Sequence, residues 1–157
     1  MYLAIVILLM GVLPVGSILV EHFGGDPAGA DWWGLIGKWF VFWSVGVRLA
    51  TAGLRQIVQP AFTAKEIFEI EDDRAQIVVQ ELGFANLAIG VLAVLTQAWP
   101  EWTVAAALVG ALFYGLAGAR HVLKGGQNRN EMIATVSDIF IFIVLAAYLI
   151  AVSLQPD

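Results

Sequence analysis

The run MIATVSDIFIFIVLAAYLIAVS, residues 132–153, decides the fold. It holds one charged residue, Asp138, in an otherwise apolar or small-residue stretch. A helix rises about 1.5 Å per residue, so about 20 such residues cross a hydrocarbon layer about 30 Å thick. Four more segments of this kind appear upstream, at about 103–120, 76–97, 33–54 and 2–20. Unpaired backbone groups are costly in lipid, which makes helices the default form for all five. The expectation is an all-α, single-domain bundle over residues 1–157, with five transmembrane helices.

Composition agrees. Hydrophobic residues make up 60% of the 157 and charged residues 13%, against roughly 25% charged in a soluble domain. With no cysteine there is no disulfide, thiolate metal site or cysteine nucleophile. The net charge of -5 and the lack of a basic patch exclude nucleic acid as a partner. Membrane lipid is the expected surrounding partner.

The first segment is followed by a cleavage-like Ala28-Gly29-Ala30, but no Lys or Arg precedes its apolar run. A secretory signal needs that charge, so the segment reads as a retained span, kinked at Pro14. Lys38 and Arg48 fall within the second span, and the other six Lys and Arg in the second and fourth connections. The positive-inside rule makes those connections cytoplasmic, the N-terminus cytoplasmic and the C-terminus external. Trp32, Trp33, Trp39, Trp43, Trp99 and Trp102 then all gather toward the external side, as one interfacial belt. The expected home is a prokaryotic inner membrane.

In the long connection 56–75, Thr63 and Glu66 have capping-box spacing. They predict a short cytoplasmic helix starting near residue 64, before the third span. Small residues recur as Ala107, Ala111, Gly115 and Ala119, and as Gly83, Asn86, Gly90 and Ala93. Such seams let helices approach closely, within one chain or between copies in a homo-oligomer.

Polar residues inside the spans are the functional pointer. A membrane-embedded charge costs roughly 2.5–3.5 kcal/mol or more, so it faces the bundle and has a partner. Gly37, Ser44, Arg48, Thr51 and Arg55 share one face of the second span. Arg48, Glu81, Asn86, Tyr114 and Asp138 form the candidate ligand-binding set. Arg55, Arg120, His121 and Glu131 form a second polar cluster at the cytoplasmic end. Lys38, in the external half, reads as a snorkelling lysine. One reading is a set of structural ion pairs, such as Arg48 with Glu81 or Asp138. The other is a cytoplasm-facing pocket that binds or moves a small polar or amphiphilic ligand or an ion. There Arg48 holds an anionic group, and Glu81 or Asp138 is counter-ion or proton acceptor.

Other chemistry is weaker. Glu66, Glu69, Glu71, Asp72 and Asp73 lack the spacing of a calcium loop, so no metal is expected. His22 and His121 sit at opposite ends of the bundle, which argues against bis-histidine haem, and no cofactor is expected. Gly125-Gly126-Gln127-Asn128 reads as a turn, with no Walker, GxSxG or HExxH motif elsewhere. Ser137, Asp138 and His121 mimic a triad set, but Ser137 lies within an apolar helix with no oxyanion arrangement. Two alternatives remain beside the pocket: a non-catalytic accessory or oligomer-forming subunit, and a membrane enzyme acting on a lipid or quinone.

Three stretches carry a resemblance. They are Gln59-Pro60-Ala61-Phe62-Thr63-Ala64 with Ile67-Phe68, then Glu81 to Leu87, then Asn128-Arg129-Asn130-Glu131 with Ser137-Asp138. Together the chain from about residue 50 resembles an uncharacterised family of small polytopic prokaryotic membrane proteins, loosely similar to DoxX-like proteins. The resemblance implies a compact helical bundle and carries no catalytic role. DoxX-like proteins usually have four spans, one fewer than the hydropathy pattern gives here.

Overall fold

The structure, a computed structural model, describes residues 2–24, 31–125 and 128–155. The Ala28–Ala30 stretch, and Gly126 and Gln127 of the expected turn, lie outside the described residues. Among the described residues there are helices and no strands. α1 is Tyr2–Gly24. α2 covers residues 32–58, as Trp32–Phe40, wider turns at Val41–Val47, and Arg48–Val58. A short α3 covers residues 60–67. α4 is Ala75–Leu95, α5 is Thr103–Lys124 and α6 is Arg129–Ser153.

Four helices are long and apolar enough to cross a membrane: Tyr2–Gly24, Ala75–Leu95, Pro100–Lys124 and Arg129–Ser153. Their outward residues, among them Ile7, Val20, Leu112, Leu116, Ile143 and Ile150, are exposed. Apolar exposure on this scale suits lipid rather than water. α2 is as long but more polar, and carries Lys38, Ser44, Arg48, Thr51, Arg55 and Gln56. It lies at the centre, with contacts to α1, α4, α5 and α6. The buried core runs along it, through Val41, Val45 and Leu49 to Ile141 and Leu145 of α6.

Two helix pairs dominate the packing, α2 with α4 and α5 with α6. The first pair meets almost backbone to backbone. A Cβ added at Gly53 would lie 2.6 Å from the Gly83 carbonyl oxygen and the Leu87 nitrogen. One added at Gly90 would fall onto the Ala50 backbone and 2.8 Å from the Gly46 carbonyl. Gly83, Asn86, Gly90 and Ala93 are all buried, so this expected seam is an α2–α4 contact inside one chain. The α5 seam differs from expectation. Ala107 and Ala111 are buried, but the buried line continues through Tyr114 and Gly118, and Ala119 is exposed. A strict four-residue step drifts about 40° per step on a 3.6-residue helix, which carries Ala119 off the contact face.

Pro14 shapes α1. A proline has no N–H to give to the turn before it, and the helix widens there at Leu8–Val12. Leu13 donates to the Leu8 carbonyl, five residues back. In that register the next donor would be residue 14, which leaves the Leu9 carbonyl open. Ser44 Oγ donates to it across the interface at 3.3 Å. Ser44 sits in the widened part of α2, and its own carbonyl accepts from the Tyr114 hydroxyl. Widened turns release carbonyls that a neighbouring helix then satisfies.

The connection after α2 corrects one expectation. The helix there begins at Pro60, whose missing N–H suits a first helical position. Thr63 lies inside it, buried, and makes no capping box with Glu66. Residues 68–74 are then non-helical, with Glu69 at φ 57 and the Arg74 nitrogen donating to Asp72 at 2.9 Å.

Candidate functional site

A cavity of about 690 Å³ opens at the end of the bundle that carries α3. Every helix contributes to it. α1 supplies Tyr2, Ile5 and Leu9; α2 supplies Arg48, Thr51, Arg55 and Gln56; α3 and the residue after it supply Phe62, Thr63 and Phe68. α4 gives Leu82 and Asn86, α5 gives Phe113, Tyr114, Arg120 and His121, and α6 gives Ala134 and Asp138. Thr51, Leu116 and Arg120 are exposed lining residues and mark its mouth.

The polar groups hold one another only in part. Asn86, 3% exposed, donates to Gln56 Oε1 at 2.7 Å, while its own Oδ1 is buried without a partner among the described residues. Arg48 Nη2 donates to the Tyr2 hydroxyl at 3.3 Å, and Arg48 Nε is buried without a partner among the described residues. Native proteins leave few buried polar atoms unsatisfied, so each such atom calls for an explanation. The Arg55 guanidinium lies 3.6 Å from the Phe62 ring centroid. Asp138 has no hydrogen bond or ion pair among the described residues.

Four residues of the expected ligand-binding set, Arg48, Asn86, Tyr114 and Asp138, thus line one cavity. Glu81 does not. It is exposed, on the side of α4 turned away from Asn86. Depth along the membrane, from which it was chosen, says nothing of direction around the helix. The expected pairing of Arg48 with Glu81 or Asp138 is absent, since no carboxylate lies within 4.0 Å of Arg48 among the described residues.

The second cluster divides. Arg55, Arg120 and His121 line the cavity, and Glu131 turns away into a buried ion pair. Both Glu131 oxygens lie 3.1 Å from Lys124 Nζ, and Oε1 lies 3.2 Å from His121 Nδ1. The backbone nitrogen of residue 131 donates to Asn128 Oδ1 at 2.8 Å, which caps α6. Lys124 was not singled out from sequence, although its place at the helix end beside the turn was a usable signal. At the other end of the bundle Lys38 has a partner within the chain. It is bound to Glu21 at 2.7 Å, together with Trp39 Nε1.

Sequence reasoning missed Tyr2, Phe62, Phe68, Gln56 and Phe113. Phe62 and Phe68 lie in the first of the stretches that carry the resemblance, but nothing local marks an aromatic as a cavity wall. Among the described residues no cluster of three or more His, Asp or Glu is arranged to hold a metal ion.

No curated protein matches this chain, and no solved structure does. A family-wide sequence pattern does match, over residues 2–155, and it covers every element that builds the cavity. The chain belongs to the family of unknown function DUF6790.

Proposed function

We propose that this protein binds a small amphiphilic molecule in the cavity between its helices. The observation that carries the reading is the pair of buried, unpartnered atoms, Arg48 Nε and Asn86 Oδ1, on residues of a wall otherwise largely apolar. Its volume is within the roughly 300–1,000 Å³ usual for small-molecule sites, which combine apolar walls with a few placed polar groups. Native mass spectrometry of gently extracted protein tests this. The expected spectrum contains a retained small molecule. Ala117→Phe, which fills the cavity, removes that species from protein that still folds, and Glu81→Gln, outside the cavity, keeps it. A bare protein, or a species indifferent to Ala117→Phe, would sink the reading. An accessory or structural subunit is then the better account, favoured by the Tyr114–Ser44 and Asn86–Gln56 bonds that tie helices together.

The proposal includes five spans, with α2 as the fifth. Its low hydropathy is compatible with crossing because its polar residues face other helices or the cavity. It also includes a cytoplasmic cavity end in a prokaryotic inner membrane and the likeness to DoxX-like proteins. The Lys and Arg of the connections at that end and the tryptophans toward the other support the orientation. Because the chain has no cysteine, single cysteines report topology cleanly. In intact cells Glu101→Cys should react with a membrane-impermeant maleimide and Arg74→Cys only after lysis. The reverse pattern would invert the orientation, and labelling of both from outside would remove a span.

A further inference from the structure

The cavity has an unbalanced charge. Arg48, Arg55 and Arg120 line it, and the one carboxylate among the lining residues is Asp138. His121 also lines it, but its Nδ1 faces Glu131 at 3.2 Å. The described ion pairs use Lys38, Lys65, His121 and Lys124, and no arginine. Among the described residues none of the three lining arginines therefore has a carboxylate within 4.0 Å. The described lysines are ion-paired and these guanidinium groups are not; Arg48 donates to the Tyr2 hydroxyl and Arg55 lies over the Phe62 ring. Three fixed positive charges against one negative leave a surplus that favours an anion there. Guanidinium groups suit a planar or tetrahedral oxyanion because their N–H donors match its oxygens in pairs.

The rest of the wall is largely apolar, with Thr51, Gln56, Thr63 and Asn86 as its uncharged polar members. Leu9, Leu49, Phe62, Phe68, Leu82 and Phe113 surround the space between the polar groups. A free hydrated anion gains nothing from these side chains, whereas a hydrocarbon tail does. We infer that the cavity takes an anionic amphiphile: a phosphate or carboxylate group held by Arg48, Arg55 and Arg120, carried on an apolar body. The inference rests on the proposed binding function and names its ligand class.

The test is lipid retention by protein purified in a neutral detergent, read by native mass spectrometry. Phosphatidylglycerol and phosphatidylcholine of identical chains are added in equal amounts. The expected result is about tenfold greater retention of the anionic lipid, the scale of one good charge-assisted contact. Arg55→Gln with Arg120→Gln should reduce that preference to near parity in protein that still folds. Arg74→Gln with Arg129→Gln, exposed and outside the cavity, should leave it intact. Equal retention of the two lipids would overturn the anion assignment while leaving a binding cavity. No retention of either would overturn both readings. A preference lost equally in the Arg74 and Arg129 variant would assign it to the protein surface and overturn the inference. In a parallel melt, inorganic phosphate alone should give no stabilisation. A stabilisation that vanishes in the Arg55 and Arg120 variant would make the ligand a free anion and overturn the amphiphile.

Discussion

Gly90→Val should leave no folded bundle in detergent. The hydrogen at residue 90 faces the backbone of Ala50 and the carbonyl of Gly46, so neither neighbour is a side chain that can swing aside. Any Cβ forces α2 and α4 apart along a seam that also holds Gly53 against Gly83 and the buried Gln56–Asn86 bond. Overpacking usually costs about 1–3 kcal/mol, and rigid backbone on both sides places this case above that range. The matched control is Gly16→Val. Nothing lies within 4 Å of a Cβ there, so its expected effect is within about 0.5 kcal/mol. Thermal unfolding followed by circular dichroism compares the two. A Gly90→Val protein that melts like the control would mean that the helices do not approach as described.

The second large effect is an inequality. Lys124→Met should destabilise more than Glu131→Gln, by roughly 2–3 kcal/mol against about 1 kcal/mol. The Glu131 side chain is 1% exposed, whereas that of Lys124 is 32% exposed. Removing the lysine leaves a carboxylate in a nearly closed site with His121 as its remaining side-chain partner among the described residues. Removing the carboxylate's charge leaves a lysine that can still reach water. Breaking a buried pair from the partner's side typically costs about 3–5 kcal/mol, and the lysine's exposure lowers that here. The capping bond from the backbone nitrogen of residue 131 to Asn128 survives in both variants. The same melts read the order, and equal losses would mean that Glu131 is wetter than its burial implies.

The apolar helices were legible because lipid leaves a long hydrophobic run few alternatives. The seam at Gly83, Asn86, Gly90 and Ala93 was legible too, since alternating steps of three and four stay near one helix face. The four-step series ending at Ala119 was misleading because it rotates away. The same blindness to rotation put Glu81 beside Asn86 in a candidate site, when the two point in different directions. Asp138 was visible as an isolated charge in an apolar run and Arg48 as part of a small and polar helix face, and both line the cavity. Tyr2, Phe62 and Phe68 were not, because an aromatic becomes a cavity wall only through contacts remote in sequence. The short helix after Gln59 turned on a competition between two start signals. Proline at the first position prevailed, and Thr63 was drawn into the interior.

The central position of α2 has a consequence for biogenesis. It is the second helix to be synthesised, yet its main packing partner, α4, is made later. In the five-span topology proposed above, α2 alone in lipid would present Lys38, Arg48 and Arg55 to hydrocarbon. α1 is already available and answers the first two, with Glu21 on Lys38 and Tyr2 on Arg48. Between them Trp43 donates to Ser17 and Ser44 to the Leu9 carbonyl, so polar contacts recur along the whole hairpin. In that proposed topology the smallest unit fit to leave the insertion machinery is α1 with α2, and Arg55 waits for the rest of the chain.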